Sequence, residues 1–99
     1  MSATATIWNG APPSSDELHR RFAEEGLEPH SWANAQGDTY GWHSHAYHKV
    51  LYCAAGGITF HTRGEDFELK PGDRLDIPAG VEHAATVGEE GCRCIEAPR

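Results

Sequence analysis

A chain of 99 residues with a formal net charge of −7 has room for one small domain with a thin core, and the shortage of clustered cations argues against a nucleic-acid partner. Hydrophobic residues at 38% and charged residues at 23%, with 11 Gly and 6 Pro spread along the chain, describe a turn-rich globular protein rather than a disordered one. No apolar run approaches the roughly 20 residues of a membrane span, and the opening MSATATIWNG lacks the basic and apolar regions of a secretory signal, so a cytoplasmic protein with no membrane partner is expected.

The first predicted element is a short strand from Thr4 to Trp8, followed by a helix in SSDELHRRFAEEG. Ser14 stands three residues before Glu17, the spacing of a capping box. Leu18 and Phe22 fall four apart on one face, and Gly26 can close the last turn. The predicted helix runs from Asp16 to Glu25.

From Trp32 onward the pattern changes to short apolar or alternating runs: GDTYGWHSH, KVLYCA, ITFHTR, DFELK, RLDIP, HAATV and CRCIEA. Between them lie Gly56-Gly57, Arg63-Gly64-Glu65, Pro71-Gly72-Asp73, Pro78-Ala79-Gly80 and the stretch from Gly88 to Gly91, which read as turns at near-regular spacing. That spacing predicts a small antiparallel sandwich or barrel. Glu89 and Glu90 then fall in a solvated hairpin tip, and Asp73, Arg74 and Asp76 read as a surface charge cluster.

Three cysteines, Cys53, Cys92 and Cys94, are an odd number, which argues against a disulfide framework and for small buried hydrophobes. Cys92 and Cys94 would share one face of a strand, a weak pointer to soft-metal or redox chemistry.

The segment GWHSHAYHKV packs three histidines into six residues. His43 and His45, at i and i+2, leave the same face of a strand and can converge on one ion. Here the sequence resembles the cupin superfamily. The first motif of that family is glycine, five residues, HxH, three or four residues, glutamate, six residues, glycine; this chain has Gly37, His43, His45, Lys49 and Gly56 at those offsets. The second is glycine, five residues, PxG, two residues, histidine, three residues, asparagine, and falls on Gly72, Pro78, Gly80, His83 and Val87.

The resemblance implies an all-β fold, a double-stranded β-helix or jelly-roll-like barrel, carrying one short N-terminal helix. Residues 1–36 would form an N-terminal strand and helix packed on the barrel, and residues 37–99 the barrel itself. It also implies His43, His45 and His83 as ligands of a divalent transition metal ion, with Zn, Fe, Ni, Mn and Cu all compatible with imidazole.

Two departures stand out: Val87 replaces the asparagine, and Lys49 occupies the position of the glutamate ligand. An ammonium facing a divalent ion in a low-dielectric barrel is repelled, so three arrangements stay open. Lys49 turns to the barrel mouth or to a carboxylate; His48 swings in as a fourth nitrogen ligand; or the barrel holds no metal and Lys49 receives an anionic small molecule. Tyr40, Tyr47, Tyr52 and Cys53 are candidates for the surroundings of the site, with Tyr47 and Cys53 beside Lys49 as possible ligand-binding residues, because Lys49, Leu51 and Cys53 share one strand face.

A set of neutral nitrogens leaves the charge of the ion uncompensated and favours an anionic small-molecule partner. The resemblance implies oxygenase, isomerase or lyase chemistry on a small anionic compound as one reading; a non-catalytic metal or ligand-binding module is the second, and a metal-free structural barrel the third. Trp32, Trp42 and the pair Ile7-Trp8 offer apolar surface, and the resemblance implies a homodimer; the alternative is that these tryptophans close the barrel ends or cover the helix.

Overall fold

Two long antiparallel partners carry the architecture of the computed structural model, which describes residues 2–99. These are β4 (Lys49–Thr62) and β7 (His83–Pro98), paired along most of their length. Each divides its second edge between two shorter strands. The first half of β4 pairs with β6 (Arg74–Ile77) and the second half with β5 (Asp66–Leu69). In the same way β7 pairs with β3 (Thr39–His43) near its start and with β2 (His30–Asn34) near its end. The short β1 (Thr4–Thr6) borders β6. Every pairing is antiparallel, and the sheet rolls into the β-barrel expected from the resemblance.

Two expected turns are not turns. KVLYCA and ITFHTR form one 14-residue strand, and HAATV and CRCIEA one 16-residue strand. Gly56 has φ of 69°, and a Cβ there would collide with the carbonyl of Gly91. A left-handed glycine inside a ladder creates a bulge that bends a strand without reversing it. Opposite it, the stretch Gly88–Gly91 of β7 faces only Gly57 of β4. Glu89 and Glu90 are exposed, but they project from this bulge rather than from a hairpin tip.

Strand alternation gives β4 two buried faces. Leu51, Cys53, Ile58 and Phe60 point into the barrel against Leu69, Leu75, Ile77 and Val87. Val50 and Tyr52 point outward, and with Ile95 and Ala97 of β7 they form a second core under the helix α1 (Ser15–Glu24). Leu18 and Phe22 fill it, both fully buried, and the Phe22 ring meets Tyr52 edge-on at 5.4 Å. Burial of each such side chain contributes about 1.5–3 kcal/mol. The predicted cap is present: Ser14 Oγ accepts the Glu17 N–H at 3.1 Å. The helix starts one residue earlier than predicted and ends at Glu24, where the Leu27 N–H closes on the Phe22 carbonyl at 2.9 Å.

The expected surface charge cluster is a tie between helix and sheet. Arg74 donates to Asp76 at 2.8 Å, to Tyr52 Oη at 3.2 Å and to the Glu25 carboxylate just past the helix end. Bonds from Arg74 hold the Glu25 carboxyl below its ordinary range. Asp73 is buried and accepts the backbone N–H groups of Trp8 and Lys70 at 2.8 and 2.9 Å. The tryptophans also have separate roles. Trp32 enters the barrel pocket; the half-exposed Trp42 ring carries the Arg63 guanidinium at 3.8 Å; Trp8 donates its indole N–H to Ala11. Among the described residues no helix is long and apolar enough to cross a membrane.

Because the outer core rests on two helix side chains, Phe22→Ala should destabilise the protein by about 3–5 kcal/mol. A chemical-denaturation midpoint that barely moves would contradict this account of the helix.

Candidate metal centre

His43 is the last residue of β3, and its register partner across the ladder is His83, the first residue of β7. His45 follows two residues later, beyond the end of the strand. The ligand atoms of the three imidazoles lie within 4.8 Å of one another. Their ring centroids are separated by 4.3 Å for His43 and His83, 4.9 Å for His43 and His45, and 5.2 Å for His45 and His83.

Hydrogen bonding presents the Nε2 atoms of two of these rings. His43 Nδ1 bonds the Gly41 carbonyl at 2.7 Å, and His83 Nδ1 bonds the Val81 carbonyl at 3.0 Å. A carbonyl only accepts, so each bond keeps the proton on Nδ1 and leaves Nε2 with a free lone pair. The Nε2 atoms of His45 and His83 are buried and have no hydrogen-bond partner. Leaving such an atom unsatisfied costs about 1–3 kcal/mol. Convergent, unpartnered imidazole nitrogens are a donor set that fits a transition-metal ion. Burial, assisted by Lys49 and the neighbouring rings, lowers the pKa of both His45 and His83, which keeps them in the neutral form that a ligand needs.

The triad opens on a cavity of about 260 Å³ whose apolar walls are Trp32, Tyr40, Phe60 and Ala85. Lys49 and Glu96 supply its other polar groups. Lys49 points inward, as the alternation with Leu51 and Cys53 requires, and is 8% exposed. Its Nζ lies 3.1 Å from Glu96 Oε2, while Glu96 Oε1 accepts the Trp32 indole N–H at 2.6 Å. Lys49 is therefore not a lone cation in this pocket.

The other residues singled out in the sequence are dispersed. His48 turns to the outer face of the sheet and bonds Asp76 at 2.9 Å, because it precedes the inward-facing Lys49 and adjacent strand residues face opposite sides. The fourth-nitrogen arrangement thus lacks its donor. Cys53 shares the face of Lys49 but sits about 13 Å further along the strand, four residues at the usual rise; it packs in the barrel core opposite Cys94. A bond from Cys94 lowers the pKa of Cys53, and that of Cys94 rises in turn. Tyr47 is exposed, its ring 5.0 Å from that of His45. Tyr52 faces the helix.

Glu96 and the inward role of Trp32 escaped the sequence reading. In CRCIEA, Cys92, Cys94 and Glu96 alternate onto one face, and a carboxylate on a face of core positions is the signal that identifies it.

Comparison with known proteins agrees with the fold. A family described as Cupin domain matches residues 32–98. The chain is 32% identical over 77 residues to quercetin 2,3-dioxygenase of Bacillus subtilis (strain 168), covering 72% of this chain and 23% of that protein. It superposes on a DMSP lyase crystal structure with a TM-score of 0.69 and 28% identity, over 74% of this chain and 38% of that one. A cupin-2 domain containing protein from Shewanella frigidimarina NCIMB 400 matches over 95% of this chain and 83% of its own, with a TM-score of 0.62 and 22% identity. The chain thus spans about a quarter of the dioxygenase.

The lowered pKa values have a consequence for stability. Below the ordinary histidine value of 6.5, the unfolded chain binds protons that folded His45 and His83 still refuse. Stability is therefore full above that pH and declines as pH falls through the window beneath it. In the presence of a chelator, the melting temperature should drop between pH 7.5 and 5.5, and by less in His83→Ala. An equal drop in both proteins would contradict the assignment.

Proposed function

The chain belongs to the cupin domain family, and on that premise we propose that His43, His45 and His83 hold one divalent transition-metal ion through their Nε2 atoms, and that the adjoining pocket takes a small anionic compound. The observation that carries this reading is the pair of buried Nε2 atoms, on His45 and His83, that lack any partner. Zn, Fe, Ni, Mn and Cu all suit three imidazoles. When bound, such an ion polarises an oxygen of its ligand and stabilises negative charge that develops there.

The protein's own groups determine what can enter. Three neutral nitrogens bring no negative charge, so an anionic group on the incoming compound completes the balance. Trp32, Tyr40 and Phe60 exclude water and favour a flat, apolar body. Lys49, held by Glu96, can offer a hydrogen bond from the side wall. Three protein nitrogens leave coordination positions for a reactant, which favours an enzyme over a module with a filled coordination sphere. The likeness to a dioxygenase and to a lyase makes oxygenase and lyase reactions on small anionic compounds the first to screen. The metal-free alternative, an anion received by Lys49 alone, has the Glu96 carboxylate against it.

Elemental analysis of tag-free protein should find about one equivalent of a transition metal per chain, and none in His43→Ala/His83→Ala. Equal metal in both, or no metal retained after incubation with Zn, Fe, Ni, Mn or Cu salts, overturns the proposal.

A further inference from the structure

The pocket contains a carboxylate that lies outside both histidine motifs. Glu96 is 7% exposed on the inner face of β7, two residues beyond Cys94. One oxygen takes the Trp32 N–H from β2 at 2.6 Å, and the other stands 3.1 Å from Lys49 Nζ on β4. The exposed His30 lies 3.9 Å from that second oxygen. A single side chain thus ties together three strands at the wall of the cavity that the histidines open on.

An unpaired ammonium here faces two penalties: its own desolvation, and repulsion from any cation at the triad. A carboxylate bonded to it offsets the first in part and cancels most of the second. Resting on the metal reading above, we propose that Glu96 is the charge-compensating residue of this site. By holding Lys49 in a buried ion pair, it lets three neutral histidines retain a divalent ion beside a lysine. The carboxylate of the site stands on β7 and meets the lysine, whereas the resembling motif would put it at position 49 and on the ion. Lys49 then contributes a directed N–H donor as the cationic half of a net-neutral pair, and the main pull on an anionic ligand comes from the ion.

The test is Zn²⁺ affinity, measured by competition with a chromophoric chelator at pH 7.5, for the parent, Glu96→Gln, Lys49→Met and the double variant. Gln keeps an acceptor for Trp32, and it removes the charge together with the acceptor that faces Lys49. Glu96→Gln should bind Zn²⁺ about tenfold or more weakly, and Lys49→Met should bind more tightly than the parent. The double variant should return to within about threefold of the parent, the mark of a coupled pair. Unchanged affinity in Glu96→Gln overturns the proposal, as does a double variant as weak as Glu96→Gln, which assigns Glu96 a purely structural role through Trp32. If circular dichroism shows Glu96→Gln unfolded, Lys49→Met against the double variant decides: tighter binding by the single variant supports the proposal, and equal binding overturns it. Where the parent prefers Fe²⁺, Ni²⁺, Mn²⁺ or Cu²⁺, the same four proteins are compared with that ion; a parent that binds none of the five removes the metal reading itself, a result distinct from metal binding without coupling.

Discussion

The pairing of β4 with β7 is the constraint on which the rest of the structure depends. Both strands are long, and both are buried on two sides over much of their length. A period of two then assigns every residue to one of two compartments. Lys49, Leu51 and Cys53 go inward while Val50 and Tyr52 go under the helix; Cys94 and Glu96 go inward while Ile95 and Ala97 go outward. A slip of one residue would exchange the pocket wall with the helix platform. The helix, its Arg74 tie and the outer core all act to hold that register.

The same alternation sets the electrostatics of the site. His83 is placed opposite His43 by the β3–β7 ladder, and two backbone carbonyls hold their ring protons on the far nitrogen. What results is a group of neutral donors in an apolar cavity. Lys49 and Glu96 enter that cavity from neighbouring strands and meet there. A buried ion pair contributes little to net stability once desolvation is counted. Its more direct effect is on charge: the pocket contains a lysine without acquiring a net positive wall.

Much of this was legible in the sequence, and the reason differs from feature to feature. Local chemistry determined the helix cap at Ser14 and the shared helix face of Leu18 and Phe22, because each depends on residues within a turn of one another. The glycine and histidine spacings likewise carried the family and the triad. Glycine-rich stretches, however, look alike whether they reverse a strand or bend it. Gly56-Gly57 and Gly88–Gly91 could be recognised as bulges only once the opposing strand was in place, since a bulge is defined by what it faces.

The site divides along the same line. His43 and His45 are near neighbours in the chain, so their sequence by itself determined that they could meet. The partnership of Lys49 with Glu96, 47 positions apart, and of Glu96 with Trp32, 64 positions apart, was decided only by tertiary structure. So was the exclusion of His48, whose imidazole lies on the other side of the sheet bonded to Asp76. Spacing along a chain encodes which face a residue takes; which distant residue shares that face, and at what height, is encoded only in strand register.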